Sequence, residues 1–147
     1  MRTIIKTILK GIGIHGPREA REGAEDMGIL RQYAGDIALV DFNMMPIDGV
    51  EFARMVRCSS DTSNPYLSIN MITGHSERSR VFGARDAGVN EFVINPLMAR
   101  SMLTRMREVV MTPRPYIRCK SSYVPDRRPR EFTSFIGSFR PQADGLI

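Results

Sequence analysis

IALVDFNMMPIDGVEF, residues 37–52, is the stretch from which the rest of the chain can be read. Ile37 to Val40 form an unbroken apolar run that ends in Asp41. That composition fits a strand covered on both faces, because neither side-chain direction has to meet water. The loop FNMMPIDG, residues 42–49, follows, and a helix is predicted from about Val50 to Arg57.

The same alternation continues downstream. Polar residues and Pro65 precede an apolar segment, LSINMIT at 67–73, which predicts a second strand. A helix is predicted from Ser76 to Ala87, with a hydroxyl available as its cap and Gly88 as its stop. EFVIN, 91–95, predicts a third short strand that runs into Pro96. The last helix is predicted from Leu97 to about Val110, with Leu97, Leu103, Met106 and Val110 toward the core, and Pro113 closes it.

Upstream, Ala24, Met27, Leu30 and Tyr33 recur at helical spacing and predict a helix from Ala20 to Tyr33, weakened by Gly23 and Gly28. A short strand is predicted near Ile14, ahead of Pro17. Residues 1–10 put Ile4, Ile5, Ile8 and Leu9 on one side of a helix that Gly11 and Gly13 end.

Strands alternating with helices at short spacing indicate an open α/β fold with a parallel sheet. In such folds ligands sit beyond the carboxyl ends of the strands. Asp41, Thr73 and Asn95 each fall at such an end, so a single cleft is expected to gather all three. The plainer alternative is that each caps a turn.

Bulk properties bound the function. The 147 residues are 42% apolar, enough for one domain with a real core. Of the formal charge of +5, residues 113–147 carry +4. The high pI near 9.7 therefore belongs mostly to the tail. A tail of that charge can attract an acidic partner or nucleic acid and says nothing about fold. Cys58 and Cys119 have no partners at metal-ligand spacing and read as reduced thiols. No apolar run approaches the ~20 residues of a spanning helix, and a cytoplasmic protein without membrane contact is expected. Tail residues 113–147 show no period and include five prolines. They are expected to be extended or disordered, with Tyr116, Tyr123, Phe132, Phe135 and Phe139 as places to dock.

IALVDFNMMPIDGVEF, MITG and EFVINP, in this order, resemble the receiver domain of two-component response regulators, in length the single-domain type related to the chemotaxis response regulator. The resemblance covers roughly residues 1–112 and implies a flavodoxin-like, three-layer fold. It puts the phosphoacceptor at Asp41, the switch hydroxyl at Thr73 and the aromatic switch residue at Phe92. Met44 and Met45 fall on the family's Met-Pro pair, with the proline displaced to Pro46. Asp48 and Gly49 fall on its Asp-Gly pair, and Asn95-Pro96 on its Lys-Pro pair, whose peptide bond is cis.

The departures bear on the chemistry. The family begins with an apolar strand ending in two acids that help bind Mg²⁺, whereas this sequence opens in the first helix. A rearranged sheet, elements exchanged between subunits, or a homodimer would compensate. EFTSFIGSF, 131–139, is one candidate patch. The remaining metal donors are Asp41 and the backbone carbonyl of Asn43, a weakened Mg²⁺ site. Asn95 replaces the charged lysine, and with it several kcal/mol of transition-state stabilisation can be lost, on the order of one charged contact.

The resemblance implies a sensor histidine kinase or phosphotransfer protein as donor and a downstream protein as recipient. It makes the chain a signalling protein, not an enzyme acting on metabolites. Missing acids and Asn95 point instead to a pseudo-receiver that acts as an interaction or dimerisation module. The DRRPR run at 126–130 is the main pointer to nucleic acid, yet no recognition helix or RNA-binding motif accompanies it, and a solvated tail is the preferred reading. His75, beside the pocket loop, reads as a surface residue. No Ser-His-Asp set or paired carboxylates are legible. The expected organisation is a receiver-like domain over 1–112 and a basic, Pro/Arg-rich tail over 113–147.

Overall fold

The computed structural model describes residues 1–21, 23–58, 62–74, 78–94 and 96–128. Three strands, β1 (Ile37–Asp41), β2 (Ser68–Thr73) and β3 (Glu91–Ile94), form a parallel sheet in the order β1-β2-β3. Helices α1 (Arg2–Gly11) and α2 (Gly23–Gln32) precede it. Helices α3 (Gly49–Cys58), α4 (Arg78–Asp86) and α5 (Ala99–Met111) follow its strands in turn. The α/β class and the parallel sheet are as the sequence implied.

The sheet separates two apolar layers. On one side Val40, Ile69 and Met71 pack with Met27 of α2, Phe52, Ala53 and Val56 of α3, and Ala84 of α4. On the other, α5 lies against β2 and β3, with Met102 and Val109 buried. Residues 102, 106 and 109 share one helical face. This corrects the predicted core face: Leu103 and Val110 are exposed, while Leu97 and Met106 are half-buried.

No strand forms at Ile14. Gly13 and Gly16 adopt positive φ, 87° and 65°, so the backbone bends where a strand would run straight. The Gly13 amide donates to the Lys10 carbonyl at 3.1 Å and the Ile14 amide to that of Leu9 at 2.9 Å. This pattern closes α1 with a left-handed glycine and uses the amide a strand would have needed. Among the described residues, β1 has β2 as its one strand neighbour.

Tail residues 116–125 are ordered into an antiparallel hairpin, correcting the expectation of an extended or disordered segment there. β4 (Tyr116–Cys119) pairs with β5 (Ser122–Pro125) around a turn in which Lys120 has φ 50°. Pro125 sits at the open end of the ladder, where a missing donor costs least. Tyr66 packs edge-on against both Tyr116 and Tyr123, with ring centroids 5.4 and 5.1 Å away. Two of the tail aromatics thus dock on the domain. Phe132, Phe135, Phe139 and the segment 131–139 lie outside the described residues.

The hairpin is pinned by a buried cation. Arg57, at the end of α3, is 1% exposed. Its Nε and Nη2 donate to the Gly88 carbonyl at 3.1 and 2.8 Å, its Nη1 to the Pro65 carbonyl at 2.7 Å, and Nη2 also to Asn90 Oδ1 at 2.9 Å. The guanidinium lies 5.0 Å from the centre of the Tyr116 ring. Asn90 Nδ2 completes the set by donating to Tyr116 Oη at 3.0 Å. Burial holds the Arg57 guanidinium below its ordinary value, and nearby Tyr116 opposes that.

Candidate functional site

Parallel strands end on one side, and their register decides which residues share that end. Asp41 stands opposite Ile72, so Thr73 lies one step further along β2, opposite Ile94 of β3. Asp41 is half-buried and Thr73 buried. The structure therefore brings Asp41 and Thr73 to adjacent strand ends. Asn95, the next residue after Ile94, lies outside the described residues, as does His75. The cis bond expected before Pro96 also falls there; a cis peptide is present at Met45–Pro46.

The loop after β1 is shaped by three local bonds. Asp41 Oδ1 accepts from the Asn43 amide at 3.0 Å. Asp48 Oδ1 accepts from the Glu51 amide at 2.8 Å, capping the first turn of α3 with a side chain suited to it. The Gly49 amide donates to the Phe42 carbonyl at 3.1 Å. A Cβ at Gly49 would lie 2.6 Å from the Asp41 carbonyl oxygen and 3.2 Å from Phe42 Cα, both backbone atoms that cannot step aside. Glycine is required because α3 begins against the backbone of Asp41.

Phe92 is half-buried and packs on the core cluster, the placement of a core aromatic. The exposed side chains near the same pole include Met45, at 82%, and Ile94 and Met98 beyond it. Arg80 of α4, which the sequence reading passed over, sets its guanidinium 4.8 Å from the ring centre of Phe42. Nothing in its spacing marks Arg80 out; only the packing of α4 beside the loop brings it next to the residue that follows Asp41.

The donor set for a divalent cation is sparse. Among the described residues no three His, Cys, Asp or Glu side chains converge, and Asp41 Oδ1 already accepts the Asn43 amide. With one carboxylate and one backbone carbonyl from the chain, a Mg²⁺ ion here would draw most of its octahedral oxygen shell from water and the phosphoryl group, which leaves a weakened site.

The comparisons with known proteins accord with this geometry. The model of the response regulator receiver domain family matches residues 1–107, and the chain belongs to that family. The chemotaxis protein CheY of Pseudomonas aeruginosa is 29% identical over 109 residues, covering 74% of this chain and 86% of that one. Chemotaxis protein CheY-3 of Vibrio cholerae is 27% identical over the same length and covers 82% of its own chain. Among solved structures, the receiver domain of a sensor histidine kinase of Pseudomonas aeruginosa superposes with a TM-score of 0.66 at 16% identity. The match covers 76% of this chain and 88% of that one. That structure holds a magnesium ion in its active-site cleft. The protein is thus a receiver of two-component signalling with a flavodoxin-like fold. Among the described residues no helix is long and apolar enough to cross a membrane, and both cysteines are free thiols.

Proposed function

We propose that this receiver accepts a phosphoryl group on Asp41 from a phosphohistidine of a sensor kinase or phosphotransfer protein. The observation that supports this is the placement of Asp41 and Thr73 at neighbouring carboxyl ends of β1 and β2 in a chain of this family. In the step, a carboxylate oxygen of Asp41 attacks phosphorus as the P–N bond to imidazole breaks. The leaving imidazole keeps that electron pair and is protonated, and an acyl phosphate forms on Asp41. The Thr73 hydroxyl binds one phosphoryl oxygen of the product. Asn95, at the family's lysine position, offers a hydrogen bond without a full charge.

Signalling then passes to a protein partner in the cytoplasm through α4, β3 and α5. Phe82, Ile94, Met98 and Leu103 on and beside these elements are large, apolar and exposed, and such a surface suits a protein contact. The receiver unit is residues 1–112 and the remainder a basic extension, seated on the unit through its hairpin. The open edge of β1 is where a homodimer would add a strand.

A second reading is favoured by the donor set around Asp41: a pseudo-receiver whose contacts do not depend on phosphorylation. Intact mass after incubation with acetyl phosphate, with and without Mg²⁺, separates the two when set beside Asp41→Ala. One added phosphoryl group, seen only with Asp41 present, supports the phosphoacceptor. No added mass in a chain shown folded by circular dichroism rejects it and leaves the interaction module.

A further inference from the structure

At the opposite pole of the sheet, where β3 begins, three arginines from separate elements come together. Arg85 lies in the last turn of α4. Arg127 follows β5, and its Nη2 donates to the Val89 carbonyl, four residues beyond Arg85. Arg114 precedes β4, and its Nη1 donates to the Asp126 carbonyl at 3.3 Å, beside Arg127. All three are half-buried.

Their charge is only partly offset locally. The Asp126 carboxylate is held by Arg128, whose Nε reaches both oxygens at 3.0 and 2.9 Å. The Glu91 carboxylate is engaged by Arg105 at 3.1 Å. Each of these two carboxylates is therefore shared with an arginine outside the trio. Among the described residues, the buried Arg127 Nε has no hydrogen-bond acceptor. Burial, together with Arg85 and Arg114, pushes the Arg127 guanidinium down to about 10, with Glu91 and Tyr116 opposing. Like charges held together and partly out of water are costly unless an anion joins them.

We propose that Arg85, Arg114 and Arg127 form a binding site for a phosphate group, carried by free phosphate or by a phosphate monoester. Guanidinium forks match phosphate oxygens in pairs, and three cations only partly offset by carboxylates favour a dianion over chloride. The site uses no residue of the Asp41 pole and stands independently of its chemistry.

The test is thermal unfolding of the full chain in inorganic phosphate against chloride at equal ionic strength, repeated with a nucleoside 5′-monophosphate and with a short oligonucleotide. Phosphate is expected to raise Tm beyond chloride, and Arg127→Gln and Arg85→Gln to weaken the phosphate affinity by about 10-fold each. Arg118→Gln, on exposed β4, is expected to leave it unchanged. Comparable stabilisation by phosphate and the monophosphate assigns the group itself as ligand, while a larger effect of the monophosphate assigns the ester. Equal Tm in phosphate and chloride overturns the site, and so does stabilisation that survives in both folded variants. Binding of the oligonucleotide without any effect of phosphate overturns it too, in favour of an extended polyanion surface. Should Arg127→Gln not fold, Arg85→Gln alone decides.

Discussion

Gly49 approaches Asp41 so closely that a single methyl group on it would meet the Asp41 carbonyl oxygen at 2.6 Å. Gly49→Ala must therefore move either the start of α3 or the end of β1. A loss of roughly 1–3 kcal/mol is expected, the usual cost of overpacking. Chemical denaturation measures it, and an unchanged midpoint would show that the loop yields without cost. Phosphoryl labelling of Asp41, if present in the parent, should fall with it.

Arg57 and Tyr116 permit a graded test of the hairpin's attachment. Arg57→Met keeps length and apolar stem but leaves the Gly88 and Pro65 carbonyls without their Arg57 donors, while Asn90 Oδ1 keeps the Ile69 amide at 2.8 Å. A loss of roughly 3 kcal/mol or more follows from two acceptors left unmet in and beside the core. Tyr116→Phe removes one hydroxyl while retaining the ring beneath the guanidinium, and about 1–2 kcal/mol is expected. If the two variants unfold at the same denaturant concentration, the network is not what holds the hairpin.

Asn70, in the middle of β2, is 0% exposed, and among the described residues neither its Nδ2 nor its Oδ1 has a partner. Unmet polar groups in a core cost roughly 1–3 kcal/mol. Asn70→Val is expected to recover much of that and raise Tm by roughly 4 °C or more. A lower Tm would mean that the amide is satisfied in solution.

Asp126 supplies a pH dependence. Hydrogen bonds from the Arg128 side chain and then its backbone amide hold the Asp126 carboxyl below its ordinary value of 3.8. A depressed folded value means that the contribution to stability is full above 3.8 and is lost as the pH falls through the lower, folded value. Asp126→Asn should flatten that part of the acid limb of a stability-against-pH curve. An identical limb in the variant would place the acid sensitivity elsewhere.

The central part of the fold was legible because its signals are local. Ile37–Asp41 is apolar without a break, Asp48 and Gly49 announce the next helix, and Gly88 ends α4 with φ 97°. The face of α5 was misread by one position. Met102 and Leu103, and again Val109 and Val110, are adjacent apolar pairs, so either member satisfies a helical period and only packing on β2 and β3 chooses. The hairpin escaped because its prolines read as disorder, whereas its strands are stabilised by Tyr66, some fifty residues away in sequence. Of the candidate site, Asp41 and Thr73 could be found as acid and hydroxyl at strand ends. Arg80 and the arginine cluster could not, since long-range packing alone brings those charges together.

The bond network around Arg57 also has a consequence for the order in which the protein can be made. Its aromatic partner Tyr116 lies 59 residues later in the chain. At roughly 5–20 residues per second, a ribosome adds that stretch over about 3–12 s. Throughout that interval α3 ends in an arginine whose final surroundings do not yet exist. Docking of the hairpin is therefore a late event of synthesis, and a nascent chain paused before β4 would keep the Arg57 end of α3 in contact with water.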